Sequence, residues 1–183
     1  MQRRKPAVEK HIDWSTFSHG SRQFYLAKTE KGLCYLGTPD ESFEAFEKRL
    51  RKHVPHEGLI EDDEALAPYR EEVQNFLNGG TDTFSLPIDA RGTDFQLSVW
   101  NALCEIPYGQ TVSYSDIAEA IGKPTAVRAA ASAIGANPLL ILVPCHRVIG
   151  KNGALTGFRG GLPLKEMLLG LEKQYQNEPA REG

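Results

Sequence analysis

Residues 113–135 read SYSDIAEAIGKPTAVRAAASAIG, and this stretch decides the fold that we expect. A Ser-x-x-Asp capping pattern opens one short helix, Gly122 ends it, and Thr125 can cap a second helix over residues 126–134. Two short helices joined by a turn that contains glycine are typical of a helix-turn-helix. Five of the nine residues in the second helix are alanine and Arg128 is its only charged residue, so this helix can approach a narrow surface closely. Close packing inside a core is the alternative, since small residues suit that equally well.

Charge is distributed unevenly around this stretch. Residues 120–165 contain no acidic residue, whereas residues 39–75 contain eleven Asp or Glu and five Lys or Arg, a balance of −6. The cations of the first region are Lys123, Arg128, Arg147, Lys151, Arg159 and Lys165. A polyanion would be attracted by that region and repelled by the other, which indicates one phosphate-facing side despite a formal net charge of −3. Chance clustering on a solvated face explains the charge pattern equally well.

The candidate chemistry follows the second helix, in residues 137–150, which read NPLLILVPCHRVIG. Cys145 is followed directly by a histidine and an arginine, and cationic neighbours favour the thiolate, the nucleophilic form of cysteine. The proline and the apolar run before it would place the sulfur at the edge of a dry pocket. Cys145 is therefore the candidate nucleophile, and a buried cysteine flanked by surface cations is the simpler alternative.

Further helices and strands are predicted on both sides of these motifs. Thr93 and Gln96 form a capping box that opens a helix, and Cys104, beside its apolar stripe, is expected to be a small buried hydrophobic residue. A last helix over residues 164–174 has an apolar face bordered by Glu172, which we expect to be half-buried. The first half predicts a small α/β unit with strands at 23–27, 33–36 and 83–88, helices at 42–52 and 64–77, and a loop at 55–64.

Length and composition fit a globular protein of one domain or two small ones. The chain has 183 residues, of which 40% are hydrophobic and 25% charged. No apolar run approaches the roughly 18 residues that span a bilayer, and the basic residues 1–6 lack the apolar region of a signal peptide, so we expect a cytoplasmic protein without membrane contact. Three cysteines without a C-x-x-C spacing predict neither a disulfide framework nor a zinc site.

The string Pro144-Cys145-His146-Arg147-Val148 resembles the active-site motif of the O6-alkylguanine-DNA alkyltransferases, also called methylated-DNA–protein-cysteine methyltransferases. The resemblance extends over residues 93–172. It implies an RNase H-like α/β domain at 1–88, which resembles the family only in length and order of elements. A mostly helical C-terminal domain with a winged helix-turn-helix-like DNA-binding motif would follow at 89–176, and a disordered tail at 177–183.

The resemblance also implies catalytic roles. Cys145 would take the alkyl group from O6 of guanine in one irreversible displacement. His146, linked through a water to Glu172, would remove the thiol proton. Asn137 would tie the recognition helix to the active-site turn, and Tyr114 would donate its hydroxyl hydrogen to N3 of the departing guanine.

DNA contacts are implied in the same way. Arg128 would enter the base stack and occupy the space of a flipped nucleotide, while the thin helix lies in the minor groove, which is about 6 Å wide. Lys123 and Arg147 would contact phosphates. The residues expected at the DNA surface are Arg128, Ala126, Ala129, Lys123 and Thr125. Those expected to line the substrate pocket are Tyr114, Val148, Phe158 and Arg159, and the last is bulkier than the small residue usual there and is expected to hinder large adducts such as benzyl.

The implied partner is double-stranded DNA that bears O6-alkylguanine, with O4-methylthymine as a further candidate lesion. The protein would be a monomer that reacts once and needs no cofactor or metal, because acceptor and proton relay both belong to the chain. Two other functions stay open. A non-catalytic damage sensor would replace the cysteine, which Cys145 argues against. A thiol hydrolase would use the same Cys, His and Glu over many turnovers, but it leaves the basic region and the alanine-rich helix unexplained.

Overall fold

The structure is a computed structural model that describes residues 8–177, a mixed sheet with two helices followed by a mostly helical part. The first part contains β1 (Glu9–His19), β2 (Arg22–Thr29), β3 (Gly32–Leu36), α1 (Phe43–His53), β4 (His56–Glu61) and α2 (Asp63–Leu77). The second contains α3 (Asp94–Cys104), β5 (Val112–Ser113), α4 (Tyr114–Ala120), α5 (Val127–Gly135), a 3-10 turn (Cys145–Arg147), β6 (Val148–Ile149) and α6 (Leu162–Asn177). The tail predicted at 177–183 lies outside the described residues from 178 onward.

The sheet has the strand order β3-β2-β1-β4. β1 and β2 are antiparallel and place Phe17 opposite Phe24, whose rings stack with centroids 5.0 Å apart. The predicted hairpin of β2 and β3 and the two predicted helices are confirmed. Helix α1 begins as expected, because the Ser42 side chain accepts a hydrogen bond from the backbone N–H of Ala45.

Two predictions in this part are wrong, and one strand was not predicted. Residues 55–64, expected as a loop, contain β4, which pairs in parallel with β1. Residues 83–88, expected as a strand, make only a single bridge through Ile88, since Pro87 has no N–H to donate. Strand β1, which lies between β2 and β4, was not predicted, because the buried Ser15 interrupts the alternation of apolar residues along it.

In the second part, the capping patterns place the helices. Both capping boxes form, at Thr93 for α3 and at Ser113 for α4. Thr125 does not cap α5: Ala126 is the N-cap, without a side-chain hydrogen bond, and the helix begins one residue later than predicted. Cys104 is exposed rather than buried, since it lies on the outer side of the last turn of α3.

The two parts share a core and a strand-like contact. Apolar side chains from both, such as Phe76 and Leu139, belong to one buried cluster. The backbone N–H of Leu36 in β3 donates to the carbonyl of Pro138 (2.9 Å), and its carbonyl accepts from Leu140 (3.0 Å). The segment that leads to Cys145 is thereby fixed against the edge of the sheet. No helix within residues 8–177 has the length and apolar character needed to cross a membrane.

Candidate active site

Cys145 opens the 3-10 turn and is only 5% exposed. Its side chain lines a small cavity at the C-terminal end of α5. The other lining residues are Ile134, Gly135, Asn137, Leu140, Gly157, Phe158 and Arg159. The thiol therefore lies in the wall of a small cavity.

Asn137, just after α5, holds the turn that contains Cys145. Its side-chain amide donates to the carbonyl of Val143 (2.8 Å) and to Sγ of Cys145 (3.3 Å), and its side-chain oxygen accepts from the backbone N–H of Leu139 (2.9 Å). The side chain is buried, so these contacts are not shared with bulk water. The side chain of Asn137 therefore links the C-terminal end of α5 directly to the sulfur of Cys145.

His146 and Glu172 are in direct contact. Nε2 of His146 lies 2.6 Å from Oε1 of Glu172, and both side chains are fully buried. The water expected between these two residues is therefore not needed, and Glu172 lies deeper than the half-buried position predicted for it. The other imidazole nitrogen, Nδ1, is buried and has no hydrogen-bond partner among residues 8–177.

Arg147 faces the interior. Its guanidinium donates to both carboxylate oxygens of Glu172 (3.0 and 3.1 Å) and to the carbonyl of Ile106 (2.8 Å). The backbone N–H of Gly109 donates to the same carboxylate (2.9 Å). The expected phosphate contact of Arg147 is therefore wrong, because the buried carboxylate and the Ile106 carbonyl take up its donors.

These contacts decide which groups are charged. Burial alone would raise the pKa of Glu172, but hydrogen bonds from His146 and Arg147 hold it below its ordinary value. Burial lowers the pKa of His146, and contact with Glu172 only partly opposes this. The imidazole of His146 is therefore neutral, with Nε2 against the carboxylate of Glu172 and Nδ1 without a partner among residues 8–177. Nδ1 is a suitable proton acceptor.

Burial raises the pKa of the Cys145 thiol, so the resting sulfur is protonated. The hydrogen bond from Asn137 and the charges of Arg159 and Lys165 favour the thiolate but do not outweigh burial. The sequence assigned this effect to His146 and Arg147. That assignment is wrong, since Glu172 neutralises the arginine and the histidine is neutral.

Lys165 was missed as a site residue. Its side chain is fully buried, and Nζ donates to the carbonyls of Val148 (2.6 Å) and Thr156 (3.0 Å). It also lies 5.9 Å from the ring centre of Phe158. The only signal in the sequence was a lysine next to Leu164 on the apolar face of α6.

The predicted pocket residues divide into two groups. Phe158 and Arg159 line the cavity, whereas Tyr114 and Val148 are not among its lining residues. Val148 is fully buried in β6. Tyr114 begins α4, and its hydroxyl donates to the carbonyls of Thr156 (3.2 Å) and Gly157 (3.4 Å), at the rim of the cavity.

The predicted DNA-contact residues lie on and before α5. Lys123, Thr125, Arg128 and Ala129 are exposed, and Ala126 is half-buried. The phosphate-facing side carries fewer charges than the sequence indicated, because Arg147 and Lys165 are buried and Arg159 lines the cavity. The basic region keeps three exposed cations, Lys123, Arg128 and Lys151.

Comparison with known proteins gives consistent matches. Residues 94–174 match the family model "6-O-methylguanine DNA methyltransferase, DNA binding domain". The inducible methylated-DNA–protein-cysteine methyltransferase of Bacillus subtilis (strain 168) is 52% identical over 178 residues, which cover 97% of each chain. The crystal structure of the Mycobacterium tuberculosis O6-methylguanine methyltransferase superposes with a TM-score of 0.76 at 38% identity, covering 92% of this chain and 96% of that one. A structure of Mycobacterium tuberculosis OGT in complex with DNA superposes with a TM-score of 0.73 at 37% identity, covering 93% of this chain and 96% of that one.

Proposed function

Since the chain belongs to the methylated-DNA–protein-cysteine methyltransferase family, we propose that it repairs duplex DNA by moving the alkyl group of O6-alkylguanine to its own Cys145. The observation that carries this proposal is the contact of the Asn137 amide with Sγ of Cys145 at the cavity, together with His146, the next residue of the same turn, which pairs with Glu172 on α6. The match to the DNA-binding domain of the family supports binding to DNA. We propose O6-alkylguanine as the lesion that it repairs. O4-methylthymine is a second lesion of the same chemistry.

Proton removal is the first step. The carboxylate of Glu172 accepts the Nε2 hydrogen of His146, which leaves Nδ1 with its lone pair free. Nδ1 takes the proton of the Cys145 thiol through a water, because Nδ1 makes no hydrogen bond to a protein atom within residues 8–177. The imidazolium formed in this way is stabilised by Glu172, whose own charge is kept by Arg147 and Gly109.

Alkyl transfer follows in a single displacement. The thiolate attacks the alkyl carbon, the S–C bond forms, the O6–C bond breaks, and the electron pair of that bond stays on guanine. Tyr114 gives up its contacts with Thr156 and Gly157 and donates its hydroxyl hydrogen to N3 of the departing base. The proton that His146 took from the thiol leaves to solvent and the guanine anion takes one up, so that the net change is alkyl for hydrogen on the sulfur. Neither histidine nor water cleaves the thioether, so each molecule reacts once. Acceptor and proton relay both belong to the chain, and the proposed step uses no cofactor or metal.

DNA recognition rests on the second part of the chain. We assign α4 and α5 to the winged helix-turn-helix-like motif of a C-terminal domain at 89–176, and the mixed sheet to an RNase H-like domain at 1–88. Helix α5 enters the minor groove with Arg128 in the base stack, and Lys123 contacts a phosphate. The protein acts as a monomer in the cytoplasm, beside its DNA.

Intact mass spectrometry tests this function. After mixing with an equal amount of duplex that contains one O6-methylguanine, we expect the protein mass to rise by one methyl group in place of hydrogen. The modification should lie on the peptide with Cys145, and the DNA should contain ordinary guanine. The matched control is Cys104→Ala, which removes the exposed cysteine and should leave the adduct in place.

The variant Cys145→Ala should bind the same duplex and leave the methyl group on it. Loss of methyl from the DNA in that variant would show that another group is the nucleophile. A wild-type protein that returns unmodified after the lesion has gone would support the hydrolase, and one that binds the lesion without reacting would support the sensor. The relatives carry methyltransferase names, and Cys145 is present, so neither alternative is favoured.

A further inference from the structure

Arg159 places a cation without an anionic partner in the wall of the cavity. One guanidinium nitrogen donates to the backbone carbonyl of Asn137, and Nε is buried without a hydrogen-bond partner in the described part of the chain. Cys145 lines the same cavity. Within residues 8–177, no carboxylate lies at ion-pair distance from Arg159, unlike Arg147, which faces Glu172.

Glu41 does not supply this missing partner. It is the acidic side chain whose charge acts on Arg159, but Arg49 already donates to it at 2.9 Å and the hydroxyl of Tyr35 at 3.0 Å. The pair of Glu41 and Arg49 is close to neutral as a unit. The guanidinium of Arg159, which stays charged at any ordinary pH, therefore has no compensating charge in the cavity wall, where it is half-buried.

Arg159 is half-buried, with its Nε buried, and an uncompensated charge that is partly removed from water is costly; the cost falls when an anion binds to it. Arginine suits this role because its N–H groups form short, directional bonds to a carboxylate. The cavity wall also includes Ile134, Leu140 and Phe158, whose side chains have neither a hydrogen-bond donor nor a positive charge for an anion. Arg159 is therefore the group in this wall that can distinguish a charged from a neutral alkyl substituent.

The position of the reaction decides which part of a substrate meets Arg159. The carbon attached to O6 must reach Sγ of Cys145, so whatever that carbon carries projects into the cavity that Arg159 lines. We propose that Arg159 determines specificity, so that the protein prefers O6-alkylguanines whose alkyl group bears a carboxylate to neutral ones of the same size. Carboxymethyl is the smallest group of this class. The inference rests on the proposed function and deepens it.

The chemistry of this transfer is balanced by groups already described. The thiol proton of Cys145 goes to His146, the S–CH₂ bond forms, the O6–CH₂ bond breaks with its electrons left on guanine, and the carboxylate is unchanged. The product is S-carboxymethylcysteine with its carboxylate against Arg159. No further reactant is needed.

The test compares two isosteric lesions in one duplex sequence, O6-carboxymethylguanine and its neutral amide, O6-carbamoylmethylguanine. Single-turnover rate constants measured by rapid quench give a carboxylate-to-amide ratio, which is divided by the same ratio for a small free thiolate. We expect this normalised ratio to exceed one in the wild type. It should fall about tenfold or more in Arg159→Gln, the size expected for one charge-assisted hydrogen bond.

Two variants separate this role from others. Arg159→Lys keeps a charge and should keep much of the preference. Lys151→Gln removes an exposed cation outside the cavity and should leave the ratio unchanged, because both lesions share the same duplex. A general effect of Arg159 on the thiolate would slow both substrates equally and would not alter the ratio.

An equal ratio in wild type and Arg159→Gln, with methyl transfer intact, would overturn the inference and leave the proposed function standing. If Arg159→Gln does not fold, the wild-type ratio decides, since a normalised value at or below one contradicts the preference. Failure of the wild type to transfer methyl at all would instead overturn the proposed function.

Discussion

Glu172 accepts hydrogen bonds from three residues, Gly109, His146 and Arg147, in a place without solvent access. At the residue scale it is a carboxylate kept ionised by its neighbours, and it fixes which nitrogen of His146 carries the hydrogen. Removing its charge would leave Arg147 buried and unpaired. We therefore expect both the proposed catalysis and the stability of the fold to depend on this one side chain.

For Glu172→Gln we expect the rate of methyl transfer to fall by about a hundredfold or more, because the imidazolium loses its counter-charge. The free energy of unfolding should fall by about 3 kcal/mol, since one partner of a buried ion pair is lost. Single-turnover kinetics and urea denaturation measure the two effects. Glu166→Gln, an exposed change on the same helix, should alter neither, and a full rate in Glu172→Gln would remove the carboxylate from the mechanism.

Cys145 and His146 could be predicted as site residues from the sequence because they are adjacent and stand in a recognisable string. It could not find the partner of Arg147, since the contact with Glu172 joins positions 25 residues apart. The charge of Arg147 was counted as surface charge for that reason. A formal charge in a sequence does not reveal whether it is compensated inside the fold.

The pH dependence of stability follows from His146. Its pKa is lowered in the folded state, so the unfolded chain binds the proton first. Its contribution to stability is present above the unfolded value of about 6.5 and is lost as the pH falls through the folded pKa. We expect the free energy of unfolding to decrease from pH 7.5 to pH 5.5.

Urea denaturation at both pH values measures this decrease. The difference should shrink in His146→Gln but not vanish, because burial also lowers the pKa of His53. His11→Gln, at an exposed position in β1, is the matched control and should behave as the wild type. An unchanged pH response in His146→Gln would contradict the neutral state of that imidazole.

At the scale of elements, helices were predicted better than strands. The caps at Ser42, Thr93 and Ser113 are local signals, and each marks the start of a helix. Strand β4 has no such signal, because five of its six residues are exposed or half-buried and its partner strand among residues 8–177, β1, lies more than 40 residues earlier. Pairing between distant segments is a tertiary fact that local patterns do not contain.

Helix α5 carries the prediction that belongs to this scale. Its exposed residues are small around Arg128, so Arg128→Ala should leave the helix intact and remove its one long side chain. We expect repair of O6-methylguanine in a duplex to slow by about tenfold or more, since unstacking costs a few kcal/mol. The reaction with the free base O6-methylguanine should change little.

Parallel single-turnover assays on both substrates make this comparison. Lys173→Ala, an exposed cation on α6, is the control and should affect neither. Equal losses on duplex and free base would contradict a role in extruding the nucleotide.

Across the whole molecule, the basic region at 120–165 contains six cationic residues in the sequence, but only three of them are exposed in the structure. The salt dependence of DNA binding should reflect this smaller number. Each phosphate contact contributes a slope of about −0.9 to a plot of log affinity against log salt concentration. We expect Lys123→Gln to make the slope shallower by about one such step.

Titrations of fluorescent duplex between low and moderate salt measure the slope. Lys48→Gln, an exposed change of the same charge in α1, should leave it unaltered. A slope independent of salt in the wild type would remove the case for a phosphate-facing side.

The pairing of Leu36 with Pro138 and Leu140 has a consequence for solubility. Unpaired strand edges are templates on which other chains can add and aggregate. Here the segment that leads to Cys145 covers part of the β3 edge. The opposite edge, β4, exposes Glu57 and Glu61, whose like charges discourage a second copy from adding there. The segment that leads to Cys145 therefore also reduces self-association at this edge. A substitution that loosens the segment should lower the solubility of the chain and disturb the position of Cys145.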